Sequence, residues 1–166
     1  MQNIDLLIEQ LTDPARRHLV TGELAALMPA VSELLQSVAL GNWTDTRGVR
    51  RNNDGQLRTN AVIALRIAGS ASQSARNTLR ALLFATDTGA PARCEVLGAL
   101  KELKLEGEDL TAIAQTLGPD WFGWDAAIEA VALITAHGPE AVALARQVAA
   151  PQAHKLLDKA SSFEQQ

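Results

Sequence analysis

The stretch Pro91–Leu103, PARCEVLGALKEL, decides how the chain is read, because versions of it stand both before and after it. Leu57–Gly69 reads LRTNAVIALRIAG and Trp124–Gly138 reads WDAAIEAVALITAHG, each with an Ala-Leu pair behind small or apolar residues at helical spacing. The pairs Ala64-Leu65, Ala99-Leu100 and Ala132-Leu133 lie 35 and 33 residues apart. A period in that range marks stacked helical hairpins, each too small to bury its apolar face alone.

Outward from that stretch the punctuation is regular. Gly69-Ser70, Asp87-Thr88-Gly89 with Pro91, Glu106-Gly107, Gly118-Pro119, Gly138-Pro139 and Pro151 separate apolar segments of helical period. They predict helices over 56–68, 73–85, 91–104, 108–117, 121–136, 139–149 and 152–162, and no segment alternates like a strand. The last of these places Ala153, Leu156, Leu157 and Ala160 on one side, as expected of a helix that closes an open stack against water.

Toward the N-terminus, Ile4, Leu7, Ile8 and Leu11 form the stripe of a short helix stopped at Thr12-Asp13-Pro14, with Asp13 capping a further turn. Thr21 and Gly22 are read as opening a helix over 23–40, which Pro29 should bend or break and Gly41 ends. The expected fold is all-α: a single domain over 1–166 comprising an N-terminal hairpin (1–41), a polar Arg-rich loop (42–55), helical repeats (56–150) and a C-terminal capping helix and tail (151–166), with about four hairpins in all.

The composition fits this reading and narrows the function. With 47% apolar but only 4% aromatic residues and no Tyr, the chain suits closely packed Ala-rich helices. A net charge of -4 argues against general nucleic-acid binding. The charge is unevenly spread: residues 41–100 carry four acids and eight bases, all Arg, whereas 101–166 carry ten acids and five bases. One cysteine, Cys94, excludes an internal disulfide. With no leader-like N-terminus and no apolar run of spanning length, a soluble cytoplasmic protein is the expectation.

The repeated helix resembles the second helix of a HEAT-type repeat, an α-solenoid family in which an Asp in the turn precedes by six residues an Arg near the start of that helix. Asp87 and Arg93 fit, followed by Val96, Ala99 and Leu100; Asn52 and Arg58 fit with Asn for Asp, followed by Ala61, Ala64 and Leu65. In the third unit Asp120 has the spacing, but Ala126 stands for the Arg and Glu129 for an apolar residue. The resemblance spans roughly 52–150 and implies that the second helices line a concave face. Taking Ala61, Ala64, Leu65 and Ala68 as the core side, that face shows Thr59, Ile63 and Arg66, then Cys94, Gly98 and Lys101, then Ala127, Val131 and Ile134. The competing reading is that these helices are buried on both sides. The pairing itself has a physical use: a turn carboxylate meets free helix amides and the next guanidinium, giving a ladder of charge-assisted bonds.

Residues 42–55, NWTDTRGVRRNNDG, form the longest stretch without helical period, and loops of this length in helical domains are often functional. A solvated linker is the plainer alternative. Trp43 within it suits either an interface or a gap between layers, as does the Trp121-Phe122-Gly123-Trp124 cluster. His18, His137 and His154 stand apart from other ligand types, so no metal site is indicated. Asp87-Thr88-Gly89 lacks the β-fold and second carboxylate of aspartic proteases, and no Gly-rich phosphate cradle or nucleophile elbow occurs.

These readings point to a non-enzymatic protein-binding module without a cofactor: an adaptor, or a stoichiometric inhibitor such as an immunity or antitoxin protein. Its candidate contact residues are Trp43, Arg47, Arg50, Arg51, Thr59, Arg66 and Lys101, facing another protein with an acidic segment. The alternative is nucleic-acid or phosphate binding by the central arginines, as in HEAT-like DNA glycosylases.

Overall fold

The computed structural model describes residues 3–85, 91–118 and 124–163. The fold is all-α, and every helix expected from residue 56 onward is present: α4 (Gly55–Gly69), α5 (Gln73–Leu83), α6 (Pro91–Glu102), α7 (Gly107–Gln115), α8 (Trp124–Thr135), α9 (Pro139–Val148) and α10 (Pro151–Phe163). Before them come α1 (Ile4–Glu9), a 3-10 turn (Gln10–Thr12), α2 (Arg17–Ala26) and α3 (Ser32–Ala39). The contacts gather into two compact units, residues 1–103 and 104–166.

The N-terminal segment departs from its expected form. Thr21 and Gly22 lie inside α2 rather than opening a helix, because the Thr21 hydroxyl bonds back to the Arg17 and His18 carbonyls at 2.9 and 3.0 Å and leaves the ladder intact. Pro29 does break the apolar run: α2 stops at Ala26 and α3 begins at Ser32. As a result α3 belongs with α4, not with an N-terminal hairpin.

In residues 1–103 the hairpins are α3/α4 and α5/α6, with α4 packed on α6 and α3 on α5. First helices thus meet first helices and second meet second. Helix α4 is the centre, touching α2, α3, α5, α6 and the 3-10 turn. It fits there because Ala61, Ala64, Leu65 and Ala68 are buried and small residues let backbones approach. At Gly69 an added Cβ would stand 2.8 Å from a Leu103 methyl, so α4 ends in close contact with Leu103 and a side chain there would have to displace that methyl. In residues 104–166 the same arrangement recurs, with hairpins α7/α8 and α9/α10, α7 on α9 and α8 on α10. Helix α10 is therefore the second helix of a hairpin, with Ala153 and Leu157 fully buried, while Gln152, Lys155, Asp158 and Lys159 face water.

The third repeat sits in a different register from the one its Ala-Leu pair suggests. Ala132 is exposed, whereas Ala127, Ala130, Val131 and Ile134 are buried as Ala61, Ala64, Leu65, Ala68 and Val96, Ala99, Leu100, Leu103 are. The equivalent positions are Ala64, Ala99 and Ala130, spaced 35 and 31. The expected third concave column, Ala127, Val131 and Ile134, is consequently core. Among the residues of α8 whose side chains are described, Asp125, Ile128 and Ala132 face water.

Candidate loop surface

The loop after α3 is a small, tightly bonded hairpin rather than a loose linker. Gly41, at φ 72°, turns the chain out of α3, and an added Cβ there would stand 3.0 Å from the Asn52 backbone. Arg51 N–H then donates to the Trp43 carbonyl at 2.9 Å, Thr44 and Arg50 form an antiparallel bridge, and Asp45 N–H donates to the Val49 carbonyl at 2.9 Å. Gly48, at φ 80°, closes the tip and donates to the Asp45 carbonyl at 2.9 Å.

Acidic side chains hold this hairpin in place. Asp45 Oδ1 accepts from the Arg47 and Val49 amides at 3.0 and 2.8 Å, and its Oδ2 meets Arg51 at 3.4 Å. Arg51 also donates to Asp54 at 2.7 Å, and Asp54 caps α4 by accepting from Leu57 N–H at 3.0 Å. From α1, Glu9 Oε1 accepts from both the amide and the hydroxyl of Thr46, at 2.9 and 2.5 Å, and Asp5 accepts from the Trp43 indole N–H at 3.3 Å. Asp5 and Glu9 are four residues apart, hence on one side of α1. Beneath the hairpin lies a cavity of about 190 Å³ lined by Glu9, Thr12, Trp43, Asp45, Arg47, Arg51 and Leu57.

The bonds shift the carboxylates in one direction. The Thr46 hydroxyl and then its amide hold Glu9 below the usual carboxylate range. The Val49 amide does the same for Asp45, against burial and with help from the Arg47 amide and Arg51. For Asp54, burial pushes upward, but the Arg51 hydrogen bond, the Leu57 amide and the Arg51 charge together outweigh it. Arg51 is raised in turn, chiefly by Asp54. Because these folded values are depressed, the stability they contribute is complete above the unfolded carboxylate range, about 4, and is lost as pH falls through the folded values below it. The Thr46 and Val49 amide resonances, whose protons go to Glu9 and Asp45, should thus hold their positions from neutral pH down to about 4 and shift only below it. In Asp45→Asn the loss of stability over that acidic window should be smaller than in the native chain.

The expected contact residues divide. Trp43 is only 5% exposed and bonded to Asp5, so it belongs to the packing and not to a contact surface. Arg51 is held between Asp45 and Asp54. Arg50 is exposed, though it donates to the Gly41 carbonyl at 3.3 Å and to the Asn42 side chain. Arg47 is exposed at the tip. On the helices, Thr59 and Arg66 are half-buried and Lys101 is exposed, with Arg66 of α4 paired to Glu102 of α6.

Three of the four remaining central arginines finish helices. Arg58 Nε donates to the Ala39 carbonyl at the end of α3 (2.8 Å), and Arg76 Nε to the Gly69 carbonyl at the end of α4 (2.8 Å). Arg93 donates to the Leu83 and Ala85 carbonyls at the end of α5 (both 2.9 Å). Helix C-termini leave carbonyls without intrahelical partners and carry partial negative charge, and a planar guanidinium can serve two of them from a half-buried position. Burial alone lowers the Arg93 pKa. The arginine of the repeat motif therefore caps the preceding helix. Asp87, its expected partner, lies outside the described residues, as do Asp120 and the Trp121-Phe122-Gly123 segment.

The acidic clamp of Asp5, Glu9 and Asp45 was not foreseen from the sequence, although the i,i+4 pair on α1 and an indole N–H in a polar loop are the signals that point to it. His137 and His154 bond to the Leu133 and Ala149 carbonyls at 2.9 and 3.1 Å. Among the described residues, no helix is long and apolar enough to cross a membrane. Comparison of the chain with protein-family models, with curated proteins and with solved structures finds no significant match.

Proposed function

We propose that this is a non-enzymatic protein-binding module of HEAT-like build, acting in the cytoplasm as an adaptor or as a stoichiometric inhibitor of the immunity or antitoxin kind. The observation that carries this reading is the loop hairpin: exposed residues presented on a backbone already fixed by Asp45 and Glu9. A contact element ordered before binding avoids the entropy cost that a floppy linker would bear on association. The outward stripe of α4 and α6, with Thr59, Ile63, Arg66, Gly98 and Lys101, offers a second partly exposed surface of mixed character in the same unit.

The nucleic-acid alternative weakens on the same geometry. Arg51, Arg58, Arg66, Arg76 and Arg93 are engaged by carboxylates or helix carbonyls, and Arg80 by Asn77 at 3.1 Å. Few guanidiniums remain to track a phosphate backbone. Affinity purification of the full chain from the cell that makes it should recover one protein in stoichiometric amount. Recovery of nucleic acid instead, or a small molecule with no protein above background, overturns the reading.

A further inference from the structure

We propose that the hairpin tip, residues 46–50, is the contact element of this module, and that it takes a protein surface on which carboxylates flank an apolar seat for Val49. This rests on the protein-binding reading above and specifies its partner. All five tip residues are exposed, Val49 at 53%. Val49 stands among polar residues at the turn, and covering an apolar side chain held out in water is favourable.

Arg47 and Arg50 stand on either side of that valine in sequence, and since Arg50 already donates to the Gly41 carbonyl and the Asn42 side chain, Arg47 is the principal cation of the tip. Among the described residues, the Arg47 guanidinium makes no hydrogen bond, so it is available to a carboxylate, and Arg is enriched where binding energy concentrates. The acidic groups beside the tip are already occupied: Glu9 by Thr46, and Asp45 by the tip amides and Arg51. Asp45 is a positioning residue here, since both amides that fix the tip donate to it. A phosphate backbone would satisfy the arginines but offers nothing apolar to Val49, and this favours protein over nucleic acid.

The test places a photo-crosslinking benzoylphenylalanine in the full chain at position 49, at position 67 on the outward side of α4, or at position 19 on α2 as a control. Ile67 and Leu19 are exposed at 44% and 59%, so neither replacement disturbs a core. Each variant is checked by circular dichroism and irradiated in the cell that makes the protein, and the adduct is sequenced by mass spectrometry. Position 49 is expected to mark one protein, at a segment where acidic residues flank apolar ones. Adding Arg47→Glu should lower the yield about tenfold or more, and Arg47→Lys should lower it less.

Crosslinking from position 67 alone would sink the tip while sparing the binding reading, and crosslinking from neither 49 nor 67 would sink both. An adduct at 49 with nucleic acid or with a segment lacking carboxylates, or a yield indifferent to Arg47→Glu, would overturn the tip proposal by itself.

Discussion

Replacing Trp43 with Ala is expected to lower the unfolding free energy of the 1–103 unit by about 3–5 kcal/mol, the usual cost of truncating a buried Trp. The side chain is 5% exposed, walls the cavity under the hairpin, and donates its indole N–H to Asp5. Its removal enlarges that cavity and detaches the loop from α1 at one of two points, leaving the Glu9–Thr46 contact to hold the other. Trp43→Phe should recover most of the packing and cost about 1 kcal/mol for the missing hydrogen bond, because exposed Asp5 is then satisfied by water. Urea unfolding of the three proteins measures this. Were Trp43 a contact residue instead, the Ala variant would keep native stability and lose only partner binding.

The second large effect separates two positions two residues apart on α8. Ala130→Asp should destabilise the 104–166 unit by roughly 4 kcal/mol or more, since it forces a carboxylate without a partner into a site that is 0% exposed. Ala132→Asp, on the exposed side, should change stability by no more than about 0.5 kcal/mol. A register in which Ala132 matches Ala64 and Ala99 sets Ala130 against Val62 and Leu97, which are also buried, and so demands a large loss at Ala132 as well. Thermal or denaturant unfolding of the pair decides between the two registers.

The same helix shows why part of the site was illegible. In WDAAIEAVALIT, small or apolar residues occur on every side, so periodicity establishes that the segment is a helix without choosing the side that turns inward. Neighbours α7, α9 and α10 make that choice, and they place Ile128 in water and Val131 in the core. In α4 and α6 the choice was legible, because Thr59, Arg66 and Lys101 interrupt the apolar residues and mark the outer side. Trp43 was ambiguous for a related reason: a lone indole in a polar loop has no periodic context, and only the fold brings Asp5 to it from 38 residues away.

The arginines repeat this division. Their number and the motif spacing of Arg58 and Arg93 are plain in the chain, and so is the idea that they are structural. Which groups they satisfy was decided by the folded backbone, which ends α3 and α5 where those guanidiniums can reach the last carbonyls.

From residue 56 onward, the sequence by itself determined the helices and their breaks, because helix period and Gly/Pro punctuation are local properties that each segment carries alone. In the N-terminal part it also determined the break at Pro29. Tertiary structure decided the inward side of α8, the pairing of α3 with α4, the burial of Trp43 and the stiffness of the loop hairpin. Each of those depends on contacts between residues distant in sequence, such as Glu9 with Thr46, whose free energy is realised only when the elements meet.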